Sequence, residues 1–139
     1  MHKTLTVRTN SLFMLLWGLL ITACLFIGTM PPLQIIFLFV LMGLGVGLFQ
    51  SLAIRSSPDA FLATKTATDV KRALLSAPFG KMSFGVHWLA VLALLGLVWF
   101  SEESVSLKTF FTSYFALLFA RELASFPGVL FLARHHSAP

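Results

Sequence analysis

Residues 33–54 read LQIIFLFVLMGLGVGLFQSLAI, an uncharged run of 22 residues. A helix needs about 20 mostly apolar residues to cross a hydrocarbon core about 30 Å thick. Leu33–Ile54 meets that length alone, and similar stretches lie on both sides of it. Ser11–Gly28 carries no charge, and Ser83–Phe100 has His87 as its one titratable group. Thr109–Ala133 is apolar except where Arg121-Glu122 interrupts it. These stretches predict an all-α integral membrane protein with four transmembrane helices in two hairpins, forming a single domain over residues 1–139.

Composition agrees. Of 139 residues, 58% are hydrophobic and 11% are charged. Soluble domains carry roughly 45–50% apolar and about 25% charged residues. A chain this short cannot bury so much apolar surface in one globule. That excludes an ordinary soluble enzyme and a disordered tail. It also argues against nucleic-acid binding despite a net charge of +5. Cys24 stands alone in the first run, so no disulfide or thiolate cluster forms within one chain.

The first run is too long for the roughly 7–15 residues of a signal-peptide core, and no small-residue cleavage site follows it. Thr29-Met30-Pro31-Pro32 reads as a tight turn into the second helix. Orientation follows from the loops. Lys3 and Arg8 precede span one, and the link to span two is neutral. Arg55, Lys65, Lys71, Arg72 and Lys81 fill the long link to span three. Glu102 and Glu103 lie between spans three and four, with Lys108 at the end of that link, and Arg134 follows span four. The pattern predicts both termini in the cytoplasm of a bacterial inner membrane. Trp99 and Phe100 fit an outer interface, whereas Trp17 and Trp88 lie deeper.

The link itself predicts an amphipathic helix over residues 58–77. Ser57-Pro58-Asp59 is a start signal, and Pro78 and Gly80 mark the stop. Ala63, Ala67, Val70, Leu74 and Ala77 recur at helical spacing, widened by Phe61, Leu62 and Leu75. Lys65, Lys71 and Arg72 flank that stripe. Such a helix suits the headgroup boundary of an anionic leaflet. The alternative is packing beneath the bundle or against a partner.

Arg121-Glu122 is the most informative pair. Near the bilayer centre a charged side chain costs about 2.5–3.5 kcal/mol on insertion scales, so it faces protein or water. Neighbours on a helix point about 100° apart, so each is expected to need a partner on another helix or chain. The pair reads either as a coupling site or as Arg121 snorkelling outward. Pro127-Gly128 predicts a kink in a continuous fourth helix. His87 is the natural partner for Glu122, expected slightly nearer the cytoplasm, and a His–Glu pair can relay protons. His135 and His136 lack metal-ligand spacing, with no carboxylate near them in sequence. Neither a metal nor a cofactor is expected.

Gly43 and Gly47 form a GxxxG pattern, for packing within the bundle or for self-association. Gln50 and Ser51 are placed to hydrogen-bond across that contact. Thr112, Ser113 and Tyr114 form a polar patch near the outer end, with Tyr114 as an interfacial anchor.

The layout of two hairpins joined by a basic link resembles ATP synthase protein I, a small accessory membrane protein, in topology. That family's Gly-Glu followed by Lys at the start of span three is replaced here by Phe79-Gly80-Lys81-Met82. No functional residue is carried over. No nucleophile motif, phosphate loop or HExxH pattern is present, so an enzyme is not expected. The leading expectation is an accessory or assembly subunit of a larger inner-membrane complex, with other membrane subunits or a second copy as partner. The alternative is an oligomeric channel or transporter using Arg121, Glu122 and His87.

Overall fold

Thr6 starts the first helix: its hydroxyl accepts from the Thr9 N–H at 3.1 Å. That cap begins helix α1 (Val7–Leu25) a turn before its apolar run. The computed structural model describes residues 6–26, 32–100 and 107–137. Pro32 leads into α2 (Leu33–Ser56), followed by short helices α3 (Pro58–Leu62) and α4 (Ala67–Ser76). Two long helices complete the chain, α5 (Gly80–Phe100) and α6 (Leu107–Ser137). Among the described residues no strand occurs. The turn expected at residues 29–31, Lys3, and the Glu102-Glu103 link lie outside the described residues.

α1, α2, α5 and α6 are each long and apolar enough to cross a membrane. Their outer surface is apolar as well. Leu15 and Leu19 on α1, Phe37 on α2, and Leu89 and Leu92 on α5 are all exposed. Water penalises such a surface, whereas lipid does not.

Contacts fix the order α1–α6–α2–α5 across the bundle. The closest packing therefore joins α2 with α6, α1 with α6, and α2 with α5. Helices adjacent in sequence, α5 and α6 in particular, touch little. Gly43, Gly47 and Ser51 meet Leu117, Arg121 and Gly128 in that order, so α2 and α6 run in the same direction. Asn10 reaches Ser125 while the Lys108 ammonium reaches the Leu25 carbonyl, so α1 runs against α6. The Ser83 hydroxyl donates to the Val46 carbonyl at 2.9 Å, and Ala90 and Leu94 pack near Phe39, so α5 runs against α2. Consequently the start of α1 and the end of α6 share one end of the bundle.

The single helix expected over residues 58–77 is instead two. Thr66 and Asp69 form a capping box that starts α4: the Thr66 hydroxyl accepts from the Asp69 N–H at 3.2 Å, and the Asp69 carboxylate accepts from the Thr66 N–H at 3.1 Å. Thr64 turns back on the Phe61 carbonyl at 2.6 Å. These side-chain bonds compete with helix continuation. The break leaves Ala63 and Ala67 exposed, so they drop out of the expected stripe. Phe61 and Ala77 join Ala53, Ile54, Val129 and Leu132 in a core, with Leu62, Val70 and Leu74 packed on it. The apolar side of the link thus packs beneath the bundle, and Lys65, Lys71 and Arg72 stay exposed. Phe79 adopts φ 69°, and Gly80 then turns so close to the Leu74 backbone that a Cβ has no room.

α6 continues unbroken through Pro127. Pro127 has no N–H, which weakens the helical ladder there. The Ser51 hydroxyl joins that ladder: it donates to the Ala124 carbonyl at 2.8 Å and accepts from the Gly128 N–H at 3.2 Å. Those two groups are i and i+4 on α6, and the hydroxyl bridges them. A side chain placed this way helps keep backbone polar groups satisfied beside proline in an apolar setting.

Candidate functional site

Basic residues collect where α1 begins and α6 ends. Arg8, Arg55, Lys65, Lys71, Arg72, Lys81 and Arg134 are all exposed near that end. Lys108 lies at the opposite end and Arg121 within the bundle. Just inside the basic end, α4 crosses an opening between α1, α2 and α6. Below it is a cleft of about 390 Å³. Asn10, Gln50, Lys71, Arg121 and Glu122 supply its polar lining, and Phe13 and Val70 contribute apolar wall.

The Arg121 guanidinium donates to a Glu122 carboxylate oxygen at 2.7 Å. The two neighbours thus meet one another, and Glu122 also finds the expected partner on another helix. Their backbone directions diverge, but long side chains reconverge. Glu122 has a second donor, the Asn10 amide at 2.8 Å. The same amide reaches the Ser125 hydroxyl at 3.3 Å, which donates to the Glu122 carbonyl at 3.1 Å. Side-chain exposure is 28% for Arg121 and 12% for Glu122, so the carboxylate is the deeper charge. The Asn10 amide oxygen is buried and meets no hydrogen-bond donor among the described residues. Its orientation is nevertheless fixed, because turning it would face oxygen to carboxylate. Nothing in the sequence reading singled out Asn10. Its signal was a lone amide one turn inside an apolar helix.

His87 does not join this site. No hydrogen bond or ion pair links it to Arg121 or Glu122 among the described residues. The Ser83–Val46 contact and the Gly47–Arg121 contact set Arg121 level with Ser83. His87 therefore lies about one turn further from the basic end, the reverse of the expected order. It borders a separate apolar cavity of about 340 Å³ with Trp88, Phe110, Phe111 and Tyr114.

Gly43 and Gly47 pack within the bundle. A Cβ at Gly43 would strike the Leu117 carbonyl and come within 2.9 Å of the Ala120 Cβ. At Gly47 it would strike the Arg121 carbonyl and come within 2.6 Å of the Ala124 Cβ. Ser51 hydrogen-bonds across this seam as expected, whereas Gln50 lines the cleft instead. Thr112 and Ser113 are fully buried rather than forming an outer patch. Half-buried Tyr114 packs on the core. Trp17 stacks between Phe13 and Phe115, and Trp99 is widely exposed near the end of α5. His135 finds a carboxylate after all, with Asp59 at 3.5 Å. No group of three His, Cys, Asp or Glu residues converges among the described residues.

No protein-family model, curated protein or solved structure matches the chain. The geometry defines the class: an all-α bundle of four helices, each able by length and apolarity to cross a membrane.

Proposed function

We propose that the chain is a small non-enzymatic protein of a bacterial inner membrane, with both termini cytoplasmic, acting as an accessory or assembly subunit of a larger complex. The free face of α5 carries this reading. Gly85, Leu89, Leu92 and Gly96 recur at steps of four, three and four, which makes one helical stripe. Leu89 and Leu92 are exposed, and a Cβ at Gly85 or Gly96 would meet nothing within 4 Å. Glycine on α2 already serves close helix approach to α6. The α5 stripe offers the same chemistry to a helix of another subunit. Arg121 and Glu122 no longer support this reading, since they pair internally. The basic end supports a cytoplasmic placement of both termini through the positive-inside rule.

Gentle extraction followed by subunit analysis tests it. Stoichiometric foreign subunits are expected, and Gly96→Ile should release them without unfolding the chain. A pure homo-oligomer would overturn it. The channel or transporter reading draws on the cleft beside Arg121 and Glu122, and unchanged flux for Glu122→Gln in liposomes would remove it. A reporter fused after Pro139 checks the orientation.

A further inference from the structure

The cleft contains an imbalance of hydrogen-bond donors. Glu122 has two donors, Arg121 and Asn10. The Arg121 guanidinium has one acceptor, Glu122, and its other N–H groups meet no described protein acceptor. Lys71 lines the same cleft from α4 and makes no ion pair among the described residues. Its ammonium lies 5.7 Å from the centre of the Phe84 ring. Gln50 brings an amide with no hydrogen-bond partner among the described residues. The lining of this partly enclosed space thus includes two basic side chains and one carboxylate, with the Lys71 ammonium free to swing in from its exposed position by Phe84.

Shape adds a second constraint. Phe13, 37% exposed, forms a wall of the cleft, and Leu16, one turn further along α1, is exposed as well. A ligand suited to this lining would set an anionic head beside Arg121, Lys71 and Gln50. Its apolar portion would leave along Phe13 towards lipid. About 390 Å³ falls within the usual range of small-ligand pockets, roughly 300–1,000 Å³. Guanidinium groups favour phosphate through charge-assisted, forked hydrogen bonds. Basic pockets between membrane helices near the cytoplasmic side hold anionic headgroups.

We infer that this cleft binds a phosphate oxyanion, supplied by the headgroup of an anionic phospholipid or by free phosphate. α4 then acts as the cover that brings Lys71 over the anion. This assignment is independent of the accessory-subunit reading, because it concerns the cleft and not the free face of α5.

Native mass spectrometry of the whole, delipidated chain tests it, with phosphatidylglycerol, phosphatidylcholine and inorganic phosphate added separately. Retention of one phosphatidylglycerol in preference to phosphatidylcholine is expected. Lys71→Gln should weaken it about tenfold, the loss of one charge-assisted contact. Arg121→Gln with Glu122→Gln removes both charges of the pair together and should weaken it at least as much. Lys65→Gln, outside the cleft lining, should leave it unchanged. Binding of inorganic phosphate alone, with the same dependence on Lys71, would support the site and assign free phosphate as its source. Binding of none of the three would overturn the inference, as would binding insensitive to Lys71→Gln. Because Lys71 is exposed, that variant keeps the test open if the double variant fails to fold.

Discussion

α6 is held on two sides by different chemistry. Towards α2 it presents Ala120, Ala124 and Gly128, and α2 answers with Gly43, Gly47 and Ser51, so backbone lies against backbone. Towards α1 it presents Phe115, Glu122 and Ser125, met by stacked Trp17 and by the Asn10 amide. One seam is made by removing side chains and the other by fitting large and polar ones. In lipid no hydrophobic force separates these solutions, because tails are as apolar as leucine. Close van der Waals approach sustains the first seam, and polar satisfaction sustains the second.

The largest expected effect attacks the close seam. Gly47→Leu drives a side chain into backbone and should cost about 3 kcal/mol or more. Gly45→Ala is its internal control, since a Cβ there meets nothing within 4 Å, and should leave stability near wild type. Unfolding in mixed detergent measures both. Equal effects would break the distinction between the two glycines.

Next comes the polar seam. Arg121→Gln leaves the deeper Glu122 carboxylate with Asn10 alone, and a loss of about 2 kcal/mol is expected, below the range for fully buried pairs because Arg121 is partly exposed. Changing Glu122 to Gln as well should recover much of that loss. A double variant as unstable as the single would show that the pair is no unit.

Ser51→Ala sharpens the contrast from the α2 side. The Ala124 carbonyl and Gly128 N–H can then bond each other, so the cost should be near the roughly 0.6 kcal/mol average for membrane interhelical hydrogen bonds. A loss several times larger would show that Pro127 prevents that recovery.

The smallest effect lies outside both seams, at the start of α4. Backbone N–H groups of Lys65 and Thr66 hold the Asp69 carboxyl below its ordinary 3.8, helped by the Thr66 side chain and by Arg72. With the folded value below the unfolded one, this contribution is complete above about pH 4 and is lost as pH falls through the folded value. Amide protection factors in α4, taken relative to intrinsic exchange at each pH, should therefore fall on acidification, and Asp69→Asn should remove that fall. Neither seam should respond through Asp69.

Much of this architecture was legible. The four long helices follow from the length of the apolar runs, and Gly43 and Gly47 stand out as small residues at helical spacing. Ala120, Ala124 and Gly128 repeat at steps of four, but only the structure shows that this stripe is the one they meet. The capping box could also have been read from Thr66 and Asp69 three apart, which would have divided the basic link. Asn10 gave a weaker signal, because a single amide near a helix start also suits a membrane interface. His87 misled because its depth was counted along its own helix, without the stagger that Ser83 imposes against Val46.

Sequence alone determined which segments are apolar enough to span a membrane and where the basic residues fall between them. Chain length and transfer energy decide those properties locally. Tertiary structure decided which helices are neighbours, that Arg121 and Glu122 pair with Asn10 in support, and that α4 covers the cleft. Helices apolar on every face carry no stripe that points inward, so sequence leaves their order open. Backbone approach at glycine and the need to satisfy buried polar groups select one arrangement among them.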